Sequence, residues 1–280
     1  MRRLWAGLVA LAIACSPFGA SDAEGPADPR APLDAEARPD AQAPEASAPR
    51  VTNGLVALYT FADGKGDVVH DTIDPPLDLM IATPDAVRWR KRSIEVSADT
   101  LITSRVGAKK VFDRVMATKG LTLEAWVTPA NVTQEGPARI VGMGRGSQQR
   151  NFTLGQEATE LRVRLKTTGN DGFVSDEGEN VELIWDAGPA LATLHHVVFT
   201  RAATGARTLW VDAKEVVSAT LAGDLEGWDE TFALSLASEN PGDAGAVKRY
   251  WRGEIHLVAI YDRALGADDV ATNFAAGPSH

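Results

Sequence analysis

The stretch that decides the fold is residues 121–127, LTLEAWV, in which an apolar residue recurs at every second position. Successive side chains of a β-strand point to opposite faces of the sheet, so this alternation predicts a strand with one face against a core. The apolar face comprises Leu121, Leu123, Ala125 and Val127, and the other face comprises Thr122, Glu124 and Trp126.

Similar short runs follow along the chain, and each is bounded by Gly, Asp, Asn or Pro. They are ELRVRLKTT (160–168), TLWVDA (208–213), FALSLAS (232–238) and GEIHLVAIYD (253–262). Only AKKVFDRVMATKG (108–120) and ALGADDVATNFAAG (264–277) have the spacing of helices, and each ends at a glycine. Many short strands separated by turn residues predict an all-β fold, a two-sheet antiparallel sandwich with one or two short helices.

Four segments of this region follow one another in an order that resembles a known family. They are GLVALYTFADGKGDVVHDT (54–72), LTLEAWVTPAN (121–131), LHHVVFTRAATGARTLWVDAKEV (194–216) and WRGEIHLVAIYDRALGADDVATNFAAG (251–277). Together they resemble the LamG-like jelly-roll domains of the concanavalin A-like lectin/glucanase superfamily, over residues 51–280. The resemblance implies a jelly-roll sandwich. It leaves the function open, because one fold hosts many functions.

The start of the chain is predicted to direct export. Two arginines precede the apolar run 4–13, which is too short to cross a bilayer and is typical of a signal peptide, assigned to residues 1–14. The following AIAC (12–15) resembles the lipobox of bacterial lipoproteins, which implies that Cys15, the single cysteine, carries the lipid. The alternative is an ordinary secretory signal cut after Ala14.

Residues 15–50 are predicted to be a disordered linker behind that anchor. They are rich in Pro, Ala and Asp and have few large apolar side chains, so they cannot offset the entropy of ordering. We therefore expect an exported protein that is lipid-anchored in the cell envelope and touches the membrane through its lipid alone. Ser16, where an aspartate would favour inner-membrane retention, points to the bacterial outer membrane.

The charge balance and the acidic motifs narrow the function. A formal net charge of −10 argues against nucleic-acid binding, and we interpret this charge as a feature that keeps the protein soluble. Retaining glucanases of the superfamily carry an E-x-D-x-(x)-E strand, which places nucleophile and acid on one face, and no such pattern occurs here. We therefore expect no enzyme, and a cryptic glycoside hydrolase ranks third.

Ca²⁺ is the possible cofactor, because many jelly-roll lectin-like domains bind it through loop carboxylates. Asp71 matches the aspartate that family members often carry after the first strand, and Glu239 lies in a second loop, ASENPGD (237–243). The last strand reads GEIHL (253–257), without the aspartates common there in relatives. The alternative for both residues is an ordinary solvated turn.

A glycan-binding face is the leading expectation for the site. Sugars pack on aromatic rings beside planar hydrogen-bonding groups, and four aromatic residues near loops are expected to be exposed, while Trp126 and Trp210 are expected in the core. Asn151 and Thr153 share one strand face, and Arg162 and Arg164 share a face of the next strand with Lys166. The candidate ligand-binding residues are Asn151, Thr153, Arg162, Arg164, Trp185, Trp228, Tyr250 and Trp251.

If those two strands are neighbours, they form a polar, partly cationic surface suited to acidic glycans or to a partner protein. An ordinary solvated sheet is the alternative. The expected function is a non-catalytic binding module of an envelope lipoprotein that recognises a glycan or an envelope polymer. A protein-adhesion or structural envelope module, with an envelope protein as partner, is the second expectation.

Overall fold

The structure, a computed structural model, describes residues 49–146, 149–170, 182–240 and 249–278. The signal peptide, Cys15 and the linker as far as residue 48 lie outside the described residues, so export and lipidation stay predictions. Neither helix of the described chain has the length and hydrophobicity needed to traverse a bilayer.

In the described ranges the chain forms sixteen strands and two α-helices. The strands are β1 (Leu55–Tyr59), β2 (Val68–Val69), β3 (Leu79–Ile81), β4 (Val87–Trp89), β5 (Ile94–Val96), β6 (Ile102–Ser104), β7 (Leu121–Pro129), β8 (Ala138–Arg145), β9 (Gln149–Glu157), β10 (Glu160–Leu165), β11 (Glu182–Asp186), β12 (His195–Arg201), β13 (Ala206–Val211), β14 (Lys214–Thr220), β15 (Ala233–Leu236) and β16 (Gly253–Tyr261). The helices are α1 (Lys109–Thr118) and α2 (Ala267–Ala276).

The strands form two antiparallel sheets, which confirms the predicted sandwich. The first sheet has the order β14-β13-β12-β7-β16-β5-β4, with β1 also paired to β16. The second sheet has the order β11-β10-β9-β8-β15-β6-β3-β2. Neighbours in these orders are distant in sequence at several places, as in β7 beside β16, so the sheets are built from long-range pairings.

The main core consists of the inward side chains of both sheets. Leu123 and Phe199 contribute from the first sheet and Phe152 and Leu154 from the second, and each is no more than 1% exposed. Full burial of one such side chain stabilises the fold by about 1.5–3 kcal/mol. The alternation in the sequence predicts this core because its period matches that of the strands.

The two predicted helices are present, with ends set by local backbone geometry. Helix α1 ends at Thr118 and is capped by Lys119, whose φ of 57° is left-handed, one residue before the predicted stop at Gly120. Gly120 is required by a close approach, because a Cβ there would lie 2.9 Å from the Cα of Arg263. Helix α2 ends at Ala276 and is followed by Gly277, the stop that the sequence predicts.

A second apolar cluster lies on the outer face of the first sheet. Trp126 of β7, Tyr261 of β16 and Val270 of α2 are among its buried members. The face of β7 that the alternation assigns to polar residues is therefore buried too, because α2 packs over it. Glu124 is consequently held in the interior, with its side chain 0% exposed.

Buried Glu124 is matched by partners from four parts of the chain. Its Oε1 atom forms an ion pair with Arg50 and lies 2.8 Å from His196 Nε2. Asn273 Nδ2 donates to Glu124 Oε2 at 2.8 Å, and the Tyr261 hydroxyl lies 3.4 Å from the same oxygen. We call these five residues the Glu124 network. Arg50, the last residue of the predicted linker, is thereby packed against the sheet.

Candidate functional site

The outer face of the second sheet brings the predicted polar residues together. Strand β9 pairs with β10, and Thr153 stands opposite Arg164 on one side and Gly142 of β8 on the other. Gly142 in turn stands opposite Ser235 of β15. Directly opposed residues point to the same side of a sheet, so these four form one row across four strands, which we call the polar face. The predicted neighbourhood of the two strands is confirmed.

Arg162 and Arg164 occupy the β10 edge of the polar face and are tied by ion pairs. Both contact Glu182 of the next strand, Arg162 at 3.3 Å, and Arg162 also lies 2.6 Å from Glu160 and 3.2 Å from Glu157. The arginine side chains keep 22% and 15% of their surface exposed. Their guanidiniums are therefore accessible and held in fixed positions.

Further arginines lie on the same face and are almost entirely buried. Arg139 Nη2 is 3.5 Å from both carboxylate oxygens of Glu239, and the two side chains are 2% and 5% exposed. Burial lowers the pKa of Arg139 to about 10; Glu239 opposes this effect, while Arg150, Arg164 and Arg249 reinforce it by repulsion. These four guanidiniums act on one another, and we call them the arginine cluster. Burial also raises the pKa of Glu239.

A cavity of about 700 Å³ opens at one end of the polar face. Its lining includes Arg150 at the start of β9 and Lys166 just after β10, opposite the segment 227–232, which we call the Trp228 loop. Phe112 of α1 completes one wall. The cavity is thus lined by two cations, by aromatic residues and by the carboxylates Asp229 and Glu230. Aromatic side chains with a few charged groups are typical of ligand pockets.

Asn151 fixes the Trp228 loop to the sheet. Its side chain is fully buried, donates from Nδ2 to the carbonyl of Asp229 at 2.9 Å and accepts from the Asp229 N–H at 2.9 Å. Trp228 Nε1 donates to the carbonyl of Lys166 at 2.9 Å, and its ring packs on Phe152 with centroids 5.8 Å apart. Asn151 therefore positions one wall of the cavity rather than facing into it.

The expectation that the loop tryptophans are exposed is wrong for Trp228 and Trp251. Trp228 is 6% exposed, and Trp251 is 0% exposed within the main core, where its Nε1 donates to Gln156 Oε1 at 2.8 Å. Gly253 makes this possible, because a Cβ at its φ of 152° would lie 2.5 Å from the Trp251 ring. A tryptophan can be buried when its indole N–H has a hydrogen-bond acceptor. The turn residues beside Trp228 and Trp251 in the sequence do not show whether such an acceptor is present.

The other candidate aromatic residues lie at the margins of the sheet. Trp185 of β11 is half-buried and packs on the main core, not on the polar face. Tyr250 is half-buried and lines a second cavity of about 620 Å³ together with Arg249 and Gln134. Trp126 is buried as expected, and Trp210 packs partly buried beside it.

The two candidate calcium ligands are engaged by cations and N–H groups. Asp71 Oδ2 lies 2.7 Å from Lys110 Nζ and accepts from the Leu77 N–H, while its Oδ1 accepts from the Leu58 and Ile73 N–H groups. Asp71 thereby organises the loop after β1. Glu239 faces Arg139. Among the residues that the structure describes, no three His, Cys, Asp or Glu side chains gather to hold a metal ion.

Sequence reasoning missed Arg139, Arg150 and Arg249 as members of the site. Arg139 opens the run RIVGMG (139–144) and Arg150 precedes the run NFTLG (151–155), so each is a single charge beside an apolar strand. An arginine is seldom fully buried unless it is paired. A single arginine within an otherwise apolar strand is therefore a sign that this strand position has a polar partner in the fold.

Comparison with known families identifies one match. The profile of the concanavalin A-like lectin/glucanases superfamily matches residues 105–271 of this chain. No curated protein matches the chain.

Solved structures resemble the chain in fold. One is botulinum neurotoxin type C, whose cell entry depends on interaction with two ganglioside molecules, at 12% identity and a TM-score of 0.57 over 79% of this chain and 51% of that chain. Another is the binding domain of botulinum neurotoxin DC in complex with rat synaptotagmin II, at 12% identity and a TM-score of 0.54, with the same shares covered. A third is a Trypanosoma rangeli sialidase in complex with sialic acid, at 16% identity and a TM-score of 0.58 over 81% of this chain and 35% of that chain. This chain spans about half of the toxin chains, at 51%.

Proposed function

The chain belongs to the concanavalin A-like lectin/glucanase superfamily, and we propose that it is a non-catalytic module that binds a glycan or an envelope polymer on its polar face. The observation that carries the proposal is the pair of partly exposed arginines, Arg162 and Arg164, on the polar face, with an open cavity at one end of that face. Thr153 and Ser235 of the same face are 4% and 2% exposed, so the arginines are the groups of this face that a ligand can reach. Planar guanidinium groups beside a cleft are hydrogen-bond donors that can orient sugar hydroxyls.

The carboxylates of the polar face support binding rather than hydrolysis. A retaining glycosidase uses two carboxyl groups about 5 Å apart, one as nucleophile and one as acid, and both must reach the sugar. Glu182 lies between Arg162 and Arg164 with its side chain 6% exposed, and Glu239 is paired with Arg139 at 5% exposed. Both carboxylates therefore serve as counter-ions of arginines.

Two further considerations bear on the ligand class. Gangliosides, sialic acid and rat synaptotagmin II are bound by structural neighbours, so glycans are the first ligands to test and proteins the second. In the described residues, the exposed large apolar side chains are Val106, Ile184, Leu194 and Phe274. They lie on four separate segments of the chain.

The proposed location follows from the first fifty residues. A lipid on Cys15 would hold the module at the cell envelope, and the Pro-rich linker would let it reach away from the membrane surface. The lectin-like module then serves as the binding end of an envelope lipoprotein.

A glycan array probed with the full chain tests the proposal. We expect binding to a defined set of glycans that Arg164→Gln weakens at least about tenfold, because a charged hydrogen bond at the polar face is lost. Arg88→Gln is the matched control, since Arg88 lies on β4 of the first sheet with 67% of its side chain exposed. A repeat with a chelator reports on calcium.

Absence of binding to every glycan would overturn the proposal. Equal loss of binding in both variants would overturn the assignment of the site to the polar face.

A further inference from the structure

We infer that the polymer bound on the polar face is an acidic polysaccharide, and that one of its sulfate or carboxylate groups is held between Lys166 and Arg150 in the cavity beside the Trp228 loop. The inference rests on the proposed function and names its ligand class. It is argued from the partners of the charged groups that line this cavity.

Lys166 is a cation without an ion-pair partner among the described residues, although it lines the same cavity as Arg150. Its backbone N–H donates to the carbonyl of Asn151 at 2.9 Å, which anchors the start of the side chain. Gly227 leaves room for that chain to cross the loop, because a Cβ there would lie 3.3 Å from Lys166 Cε. The ammonium group thus lies beside the cavity and has no carboxylate partner within the part of the chain that the structure describes.

The acidic residues of the cavity wall are occupied elsewhere. Asp229 Oδ1 accepts from the N–H and hydroxyl of Thr231 at 2.8 and 2.6 Å, which closes a turn inside the Trp228 loop. Glu230 pairs with Lys109 of α1 at 3.1 Å. Neither carboxylate forms an ion pair with Lys166. The anion beside the Lys166 ammonium group is therefore the part that we assign to the ligand.

The positive charge extends from the cavity along the polar face. The arginine cluster contributes four guanidiniums, and Glu182 and Glu239 are the carboxylates that act on it. Repulsion among these arginines adds to burial in lowering the pKa of Arg139 and Arg150. An oxyanion placed beside Arg150 would relieve that repulsion, and a guanidinium matches the geometry of sulfate and carboxylate oxygens.

The site is local, because the chain as a whole is acidic. With a formal net charge of −10, the long-range field repels a polyanion, so affinity for one has to come from a concentrated group of cations. Residues 139 and 150 are separated by the length of five β9 residues, about 16 Å, since Arg139 stands opposite Gly155. Arg139 and Arg150 are 1% and 2% exposed, so along this length a polymer would contact mainly the partly exposed Lys166 and Arg164, and the buried arginines would add their charge from within.

The test measures binding of the full chain to dextran sulfate, polygalacturonate and neutral dextran, with inorganic sulfate as a free-anion probe. We expect both acidic polymers to bind and neutral dextran not to bind. Lys166→Gln should weaken binding about tenfold or more, whereas Lys166→Arg, which keeps the charge, should stay within about threefold. Lys214→Gln, an exposed cation of β14 in the first sheet, removes the same charge and should change nothing.

Several outcomes would overturn the inference. If Lys166→Gln and Lys214→Gln weakened polymer binding equally, the binding would depend on overall charge and not on this cavity. If inorganic sulfate bound and the polymers did not, the cavity would be a site for free anions. If neutral glycans bound, Arg164→Gln abolished that binding and no polyanion bound, the acidic nature of the ligand would be refuted. The proposed function would then still hold. No binding to any polymer or array glycan would overturn both.

Discussion

Replacement of Asn151 by alanine isolates the contact that builds the candidate cavity. Asn151 is fully buried, and its amide makes both of its hydrogen bonds to the backbone of Asp229. The substitution removes a donor and an acceptor together, and it leaves the Asp229 N–H and carbonyl without these partners. We therefore expect the Trp228 loop to detach from β9 more often, with the sheets intact.

The expected magnitude follows from the two bonds. Each contributes about 1 kcal/mol, so Asn151→Ala should lower the free energy of unfolding by about 2 kcal/mol. With a urea m-value of about 3 kcal/mol/M, the unfolding midpoint should fall by about 0.7 M. Hydrogen–deuterium exchange of the peptide covering 225–232 should accelerate, because the Asp229 amide loses its acceptor.

Asn131→Ala is the matched control. Asn131 is exposed, and its Oδ1 accepts from the Thr133 N–H at 3.0 Å within a surface turn, so its loss should cost no more than about 0.5 kcal/mol. If Asn151→Ala shifted the midpoint no more than this control, or left exchange in 225–232 unchanged, Asn151 would not position the loop.

Two further predictions concern the Glu124 network and the predicted anchor. Glu124→Gln should cost about 3 kcal/mol in urea unfolding, because it leaves Arg50 buried without its counter-charge. Burial raises the pKa of Glu124, but His196 and Arg50 outweigh burial and hold that pKa below its usual value. The stabilisation by ionised Glu124 should therefore be complete above about pH 5 and be lost as acid protonates this carboxylate, and the variant should lack this pH-dependent part. Parallel stability profiles of the two proteins in acid would contradict the assignment. Cys15→Ser should abolish incorporation of radiolabelled palmitate and release the protein from the membrane fraction, with Ser16→Ala as control; unchanged fractionation would exclude the lipid anchor.

Much of the fold could be predicted because strand periodicity is a local property. The alternation of 121–127 correctly identifies β7 and its core face, and the two helical stretches end at or beside their glycines. The other face of β7 could not be predicted, since whether Glu124 meets water depends on α2, which lies more than a hundred residues away. Burial of a carboxylate is a tertiary event, and the sequence pattern around Glu124 is that of a half-exposed strand.

The candidate site was predicted only in part, because Arg162 and Arg164 lie on the polar face as expected, whereas Arg139, Arg150 and Arg249 were missed. The alternation along each strand put Thr153 with Asn151 and put Arg164 with Arg162, and the register shows that β9 and β10 are neighbours with Thr153 opposite Arg164. Asn151 was expected to meet a ligand and instead holds a loop, because side-chain bonds to a distant backbone leave no local trace. The tryptophans show the same limit, since proximity to turn residues does not decide whether Trp251 points outward or into the core.

The Glu124 network also determines where tension would enter the domain. Arg50 donates to the carbonyl of Gly277 at 2.7 Å, and the Val51 N–H donates to Asn273 Oδ1 at 2.9 Å, so the two ends of the described domain are joined to each other. A pull on the segment before residue 49 is therefore first resisted by this junction, on the outer side of the first sheet. The strands that carry the polar face belong to the other sheet, so the junction of the two ends lies apart from the proposed binding surface.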